Sequence, residues 1–282
     1  MVMKKMNLSG RFLLLCCVFV LSGWGAPHAV YASTFSVAPV RIFLQPRDKA
    51  TAITVFNEGD SEVVLQADVY QWRQLAKGED DVQLSEDLIV SPPIIKLAPG
   101  AKQVVRLARL SLAPPAEQQT YRLIVREVAE IAAVKPASVN VQIALALSMP
   151  VFITPANSKS DMHCSIPVAE NGPDAKTLMP PASPNTGALK FVCKNEGNGH
   201  AQIRHAWVVQ QGKVIANLDN GGYFLAGTQR MLSLPRFEGD LNDKMRSSVV
   251  GKSLAGSTRP SQGRELHLSL DDGSEPIFPL AN

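Results

Sequence analysis

Between Val139 and Pro155 the chain reads VNVQIALALSMPVFITP. Its odd positions, Val139, Val141, Ile143, Leu145, Leu147, Met149, Val151 and Ile153, are all large and apolar, while the even ones are mostly small or polar. Successive side chains of a strand point to opposite faces, so this period of two predicts one long strand, Val139–Ile153, with an unbroken apolar face. At about 3.3 Å per residue it would run roughly 50 Å, more than twice an ordinary strand. Such a stripe either covers the core of its own domain or is offered to something else, and periodicity alone leaves both open.

The same alternation recurs upstream in shorter runs rich in β-branched residues and broken by Pro, Gly and Asn. It predicts strands over Phe35–Leu44, Ala52–Asn57, Val63–Trp72, Ile94–Leu97, Lys102–Leu110 and Tyr121–Val128. Asn57-Glu58-Gly59-Asp60 reads as a turn between paired strands, and Ala98-Pro99-Gly100 as another. About seven strands in some 120 residues, with no helical period, predict an immunoglobulin-like sandwich. Thr154 to Ser160 is a plausible hinge. Beyond it a weaker β-pattern covers Ala188–Lys194, Gln202–Gln210, Lys213–Ala216, Tyr223–Leu225, Thr228–Leu234 and Arg264–Leu270, with loops expected around Pro180-Pro181 and over Asn242–Gly263. The expected fold is all-β: two immunoglobulin-like β-sandwich domains in tandem, residues 33–155 and 156–282, forming an L with a cleft between them. Trp72, near the end of the third strand, is expected as a core filler or sheet cover.

The first 32 residues change the reading of charge and compartment. Lys4, Lys5 and Arg11 precede and open an apolar run ending near Leu21, and Val30-Tyr31-Ala32 is a small-x-small cleavage site, so residues 1–32 read as a secretory signal peptide. The apolar run is too short for a membrane span, and no later stretch reaches that length. Of 28 basic and 25 acidic residues, the signal carries three of the bases. The mature chain is therefore neutral, which gives no support for nucleic-acid binding. Cys16 and Cys17 leave with the signal; Cys164 and Cys193 remain, and in an exported protein they most simply form one disulfide, the alternative being two buried thiols.

A search for catalytic chemistry finds none. His163, His200, His205 and His267 have no metal-like spacing with one another or with cysteine. Gly251-Lys252-Ser253 resembles the end of a phosphate loop, but Arg246 stands where that motif needs its first glycine. The acidic Glu79-Asp80-Asp81 reads as a solvated turn. No catalytic residues, metal or cofactor are expected.

Several motifs nevertheless occur in one order. They are Ala38-Pro39-Val40-Arg41, Ser91-Pro92-Pro93, the run from Leu97-Ala98-Pro99-Gly100 to Val105-Arg106-Leu107, Tyr121-Arg122-Leu123, Arg126-Glu127-Val128 and the alternating strand closing at Pro155. In this the chain resembles the periplasmic chaperones of chaperone–usher pili, with a PapD-like fold. The Gly78-Glu79-Asp80 turn, Asp87 to Pro93 and Ser148-Met149-Pro150-Val151-Phe152 resemble the archaic, Csu-like branch. The resemblance implies a periplasmic, non-enzymatic protein that caps pilus subunits and delivers them to an outer-membrane usher, with no membrane insertion of its own and with self-association possible when free.

It also implies a mechanism. Subunits of that family are sandwiches missing a strand, which leaves an apolar groove and unpaired backbone, and the chaperone lends its long strand to both. Val141, Ile143, Leu145 and Leu147 are the implied donor side chains; burying four of them is worth on the order of 6 to 12 kcal/mol gross, before association costs. The cleft should anchor the subunit's C-terminal carboxylate through Arg41, which matches the family's first-strand arginine. Against the P-pilus pattern, Pro150 stands where a second basic residue is expected and Thr154 where another arginine sits. Arg122 is then the candidate second anchor, with Arg126 next. The alternative function is a secreted structural or adhesive subunit of a surface fibre, for which the chain begins its first strand too early and carries too complete a strand set.

Overall fold

The computed structural model describes residues 35–75, 79–128, 143–167, 187–236 and 263–280. The expected signal peptide, residues 139–142 of the long strand, the proline loop around residue 180 and the segment 242–262 lie outside them.

Ten strands precede residue 155: β1 Phe35–Ala38, β2 Ile42–Leu44, β3 Ala50–Asn57, β4 Val63–Gln74, β5 Asp80–Leu84, β6 Leu88–Ser91, β7 Ile94–Leu97, β8 Lys102–Arg109, β9 Gln119–Glu127 and β10 Ala146–Ile153. They form two facing sheets, one ordered β1-β3-β8-β6 and the other β2-β10-β9-β4, with β5 and β7 each pairing with β4. Alternate residues of both sheets, among them Ile53, Val55, Val105 and Leu107 against Leu65, Leu123, Val125 and Val151, interdigitate in one core. Seven more strands follow: β11 Met162–Ser165, β12 Leu189–Asn195, β13 Ala201–Gln210, β14 Lys213–Phe224, β15 Gln229–Leu234, β16 Arg264–Leu270 and β17 Ile277–Leu280. They make a sheet β11-β12-β15 and a sheet β14-β13-β16-β17 over a second core built on Phe191, Ile203, Phe224, Leu266 and Leu268. The described residues contain strands and no helix, as the alternation predicts.

Three expectations are corrected. Phe35–Leu44 is two strands: the chain bends at Ala38–Pro39, so β1 pairs antiparallel with β3 in one sheet while β2 runs parallel to β10 in the other. The turns at Asn57 and Ala98 do not join paired strands but cross between the sheets. Asn57, almost fully buried, ties the two crossings together: its Nδ2 donates to the carbonyls of Ser61, Leu97 and Ala98, and its Oδ1 accepts from Gly59 N–H. Lys213–Ala216 and Tyr223–Leu225 are not separate strands: residues 213–216 and 223–224 belong to the single strand β14, which ends before Leu225 and whose polar Asn217, Asp219 and Asn220 hide its continuity. Cys164 and Cys193 are directly opposite on β11 and β12 and are joined.

Candidate functional site

The long stripe divides. Within β10, Met149, Val151 and Ile153 point into the first core and Leu147 packs half-buried on its margin. Leu145 and Ile143 continue the same phase beyond the margin, 37% and 83% exposed. The strand ends at Ala146 by its ladder, although Leu145 O still accepts from Glu127 N–H at 2.9 Å. One edge of β10 is paired along its whole length with β9, from Ala146↔Arg126 to Ile153↔Gln119. The other edge meets β2 only at Val151, Phe152 and Ile153. Among the described strands nothing pairs with that edge from Ala146 to Pro150, so an apolar stripe and open backbone stand together.

The opposite face of β10 builds a second feature. Ile42 and Val151 are level in the register and both enter the core, so their neighbours Arg41, Phe43, Pro150 and Phe152 project to the far side. Across the sheet Pro150 is level with Arg122, and Arg122 with Tyr70. Arg41, Pro150 and Arg122 therefore form one cross-strand row, in which Pro150 separates two guanidiniums. The Arg122 guanidinium carbon lies 3.7 Å over the Trp72 ring and its Nη2 is 3.8 Å from Asp80. Burial pushes Arg122 below its ordinary pKa, against the opposing pull of Asp80 and Tyr223.

The second domain closes over this row. Phe152 is fully buried, in a cluster with Trp72 and Leu225, and Tyr223 packs against it. The His200 ring lies flat on Phe152, with centroids 4.0 Å apart. His200 N–H and Nδ1 both meet Gln118 Oε1, at 2.9 and 2.8 Å, while Gln118 N–H donates to Asn198 O. Gln74 on β4 donates to Tyr223 O at 2.9 Å and accepts from Leu225 N–H at 3.0 Å. Asp271 follows β16 and takes Arg41 Nη1 at 2.9 Å; Nη1 also reaches Gln202 Oε1 at 3.0 Å. Burial raises the Asp271 carboxyl, but His200, the Gln202 N–H and Arg41 outweigh it and hold the group below its ordinary value. Asp271 and Gln202 occupy one corner of the Arg41 fork, which has five N–H donors in all.

Residues 34–159 match the sequence profile of the pili and flagellar-assembly chaperone, PapD N-terminal domain. The first domain is a pilus-assembly chaperone domain. The fold agrees across both domains. A chaperone bound to a tip subunit in the archaic Csu pili of Acinetobacter baumannii superposes with a TM-score of 0.53 at 20% identity, covering 88% of this chain and 98% of its own. The class 5 fimbriae chaperone CfaA gives 0.52 at 11%, covering 88% and 100%. The YadV chaperone gives 0.55 at 12%, covering 87% and 99%. No curated protein matches the chain by sequence. The sequence match of the first domain and the fold of both domains support a chaperone role in fimbrial assembly.

In this chaperone domain the residues expected from sequence are distributed unevenly. Arg41 and Arg122 are brought into one row, and Ile143 and Leu145 onto one exposed stripe. Val141 lies outside the described residues. Leu147 is partly committed to its own core. Arg126 is not brought to the cleft: it sits four residues along β9 from Arg122, roughly 13 Å away, held by Asp68 and Tyr70. Sequence reasoning missed His200, Tyr223 and Asp271, which lie far away in the chain. Phe152 carried a readable signal, since it is the one bulky residue in the small and polar even phase of the stripe. Among the described residues no cluster of His, Cys, Asp or Glu could hold a metal, and no helix is long and apolar enough to cross a membrane.

Proposed function

We propose that the chain is a periplasmic chaperone that captures pilus subunits by donor-strand complementation and hands them to an outer-membrane usher, in the manner of the archaic branch. The observation carrying this reading is the exposed Leu145–Ile143 continuation of the core stripe beside the open edge of β10. An incomplete sandwich laid along that edge gains ladder hydrogen bonds from Ala146 to Ser148 and apolar partners from the stripe. Its core then becomes continuous with the core beneath Leu147. Pro150 has no N–H to give to a ladder, which places the end of pairing at the arginine row. There Arg41 and Arg122 hold the subunit's terminal carboxylate. The signal peptide expected over residues 1–32 supplies export, and the Cys164–Cys193 disulfide fits an oxidising compartment.

The test is periplasmic co-expression with candidate fimbrial subunits of the wild type, Arg41→Ala, and Ile143→Asp with Leu145→Asp. Soluble one-to-one complexes are expected with the wild type and not with either variant. Equal recovery of subunits by all three would overturn the reading.

A further inference from the structure

We propose that Tyr223, from the second domain, is a third anchor of the carboxylate site, donating its hydroxyl proton to the terminal carboxylate that Arg41 and Arg122 hold. The inference rests on the cleft reading above and deepens it, because it makes capture of the carboxylate a property of both domains.

Tyr223 reaches the cleft through an irregularity in β14. Gln202 and Tyr223 are level, then Ile203 and Gly222, but the next pair is His205 with Asp219, so residues 220 and 221 fall in a bulge. Asn220 and Gly222 have φ of 58° and 81°, and a Cβ on Gly221 would meet Ile203 at 2.7 Å. The bulge lets Phe224 enter the second core while Tyr223 and Leu225 face the first domain. The main chain is held there from two sides, since Tyr223 O accepts from Gln74 Nε2 at 2.9 Å and from Arg230 Nη1 at 2.6 Å. The ring meets Trp72 edge-on at 5.4 Å, His200 at 5.7 Å and Phe152 at 6.0 Å. Trp72 is also the ring that carries the Arg122 guanidinium, so Tyr223 and Arg122 share one support.

The position dictates the chemistry. Tyr223 is level with Gln202, whose Oε1 takes Arg41 Nη1 at 3.0 Å, so its ring stands on the Arg41 side of the cleft. Burial raises the Tyr223 phenol above its ordinary value, with Asp271 adding to the rise and Arg41 and Arg122 opposing it, so it keeps its proton at neutral pH. A guanidinium has donors and no acceptor. Toward either guanidinium the phenol oxygen can therefore only accept, and its one proton is left to seek an anion within the field of two cations. In the subunit-free chain Asp80 stands beside Arg122, and Asp271, beside Arg41, is the carboxylate that acts on Tyr223. A subunit terminus entering along β10 brings a further carboxylate to the same row.

The experiment uses a synthetic peptide of about twelve residues alternating valine with threonine, labelled at its N-terminus and made both as a free acid and as a C-terminal amide. Fluorescence anisotropy gives its affinity for the wild type, Tyr223→Phe and Arg41→Ala. The wild type is expected to prefer the acid. Tyr223→Phe, which keeps the ring contacts, should weaken acid binding about tenfold, the loss of one hydrogen bond to a charged group, and leave amide binding unchanged. An undiminished acid preference in Tyr223→Phe, alongside its loss in Arg41→Ala, refutes the role of Tyr223 while leaving the cleft reading intact. An equal fall for acid and amide refutes it too, assigning Tyr223 to packing alone. If the wild type shows no acid preference, or Arg41→Ala retains it, the cleft reading and this inference fall together.

Discussion

Truncating Ile143 and Met149 to alanine separates what the stripe does for a subunit from what it does for its own domain. Both residues share one phase of the same segment, but Ile143 is 83% exposed and Met149 only 4%. Ile143→Ala removes three side-chain carbons at about 0.8 kcal/mol each. With most of that surface still in water in the free protein, the domain itself should lose only about 0.4 kcal/mol. On capture the same surface leaves water, so the loss to binding is about 2 kcal/mol, or roughly 30-fold in affinity. Met149→Ala instead opens a cavity in the first core and should cost about 2 to 5 kcal/mol of stability. Urea unfolding of the free protein and titration with a purified fimbrial subunit measure the two quantities independently. A shift in the urea midpoint for Ile143→Ala as large as that for Met149→Ala would show that the exposed stripe belongs to the fold. Unchanged subunit affinity would show that it is not the donor.

Three further outcomes follow from the cleft and the second domain. Asp271 is held below its ordinary pKa of 3.8, so its contribution is fully present above that value and is lost as pH falls through the lower folded-state value; calorimetric midpoints of the wild type and Asp271→Asn should differ at pH 7 and draw together as the medium is made progressively more acid than pH 3.8, and a difference that does not shrink on acidification would contradict the assignment. Phe152→Ala removes the fully buried centre of the contact between the domains and should cost about 3 to 5 kcal/mol; it should also split thermal unfolding into two transitions, and a single undisplaced transition would rule out Phe152 as the coupling residue. Replacing Cys164 and Cys193 together by serine opens a crosslink spanning 29 residues and should cost about 3 kcal/mol, read as a lower urea midpoint of the second domain alone.

The first domain was readable because its strands follow the simplest rule available, one face in and one face out. β3, β8 and β9 alternate cleanly in sequence, and the structure buries the residues that the alternation selects. The short β5 escaped because it is an edge strand with almost every residue exposed, so burial imposed no period on its sequence. The turn at Asn57 was legible as a turn, but not its destination. Turn chemistry specifies a local reversal, whereas the choice of sheet is made by contacts as distant as Leu97 and Ala98. The switch between β1 and β2 was hidden in the same way, inside a run that alternates throughout.

The site shows the same division between local and distant information. Arg41 and Arg122 are 81 positions apart in the chain, and what makes them neighbours is the register of β2 and β9 on either side of β10, which fixes Pro150 between them. Sequence patterning identified β9 and β10 but ran β2 together with β1, and it carried nothing of that register. The second domain's share was less visible still, because it enters through a bulge in β14 and a residue just beyond β16, positions that no period marks. Phe152 and Pro150 supply the connection. The proline ends the pairing edge and the phenylalanine starts the contact with the second domain, two residues apart on one strand. The segment that presents the stripe is thus rigidly continuous with the segment that sets the cleft. A subunit read at both ends must match the distance between Ile143 and the arginine row, seven strand residues or roughly 23 Å. Inserting two residues between Ala144 and Ser148 would preserve the alternation but break that distance, and it tests whether stripe and cleft act as one ruler.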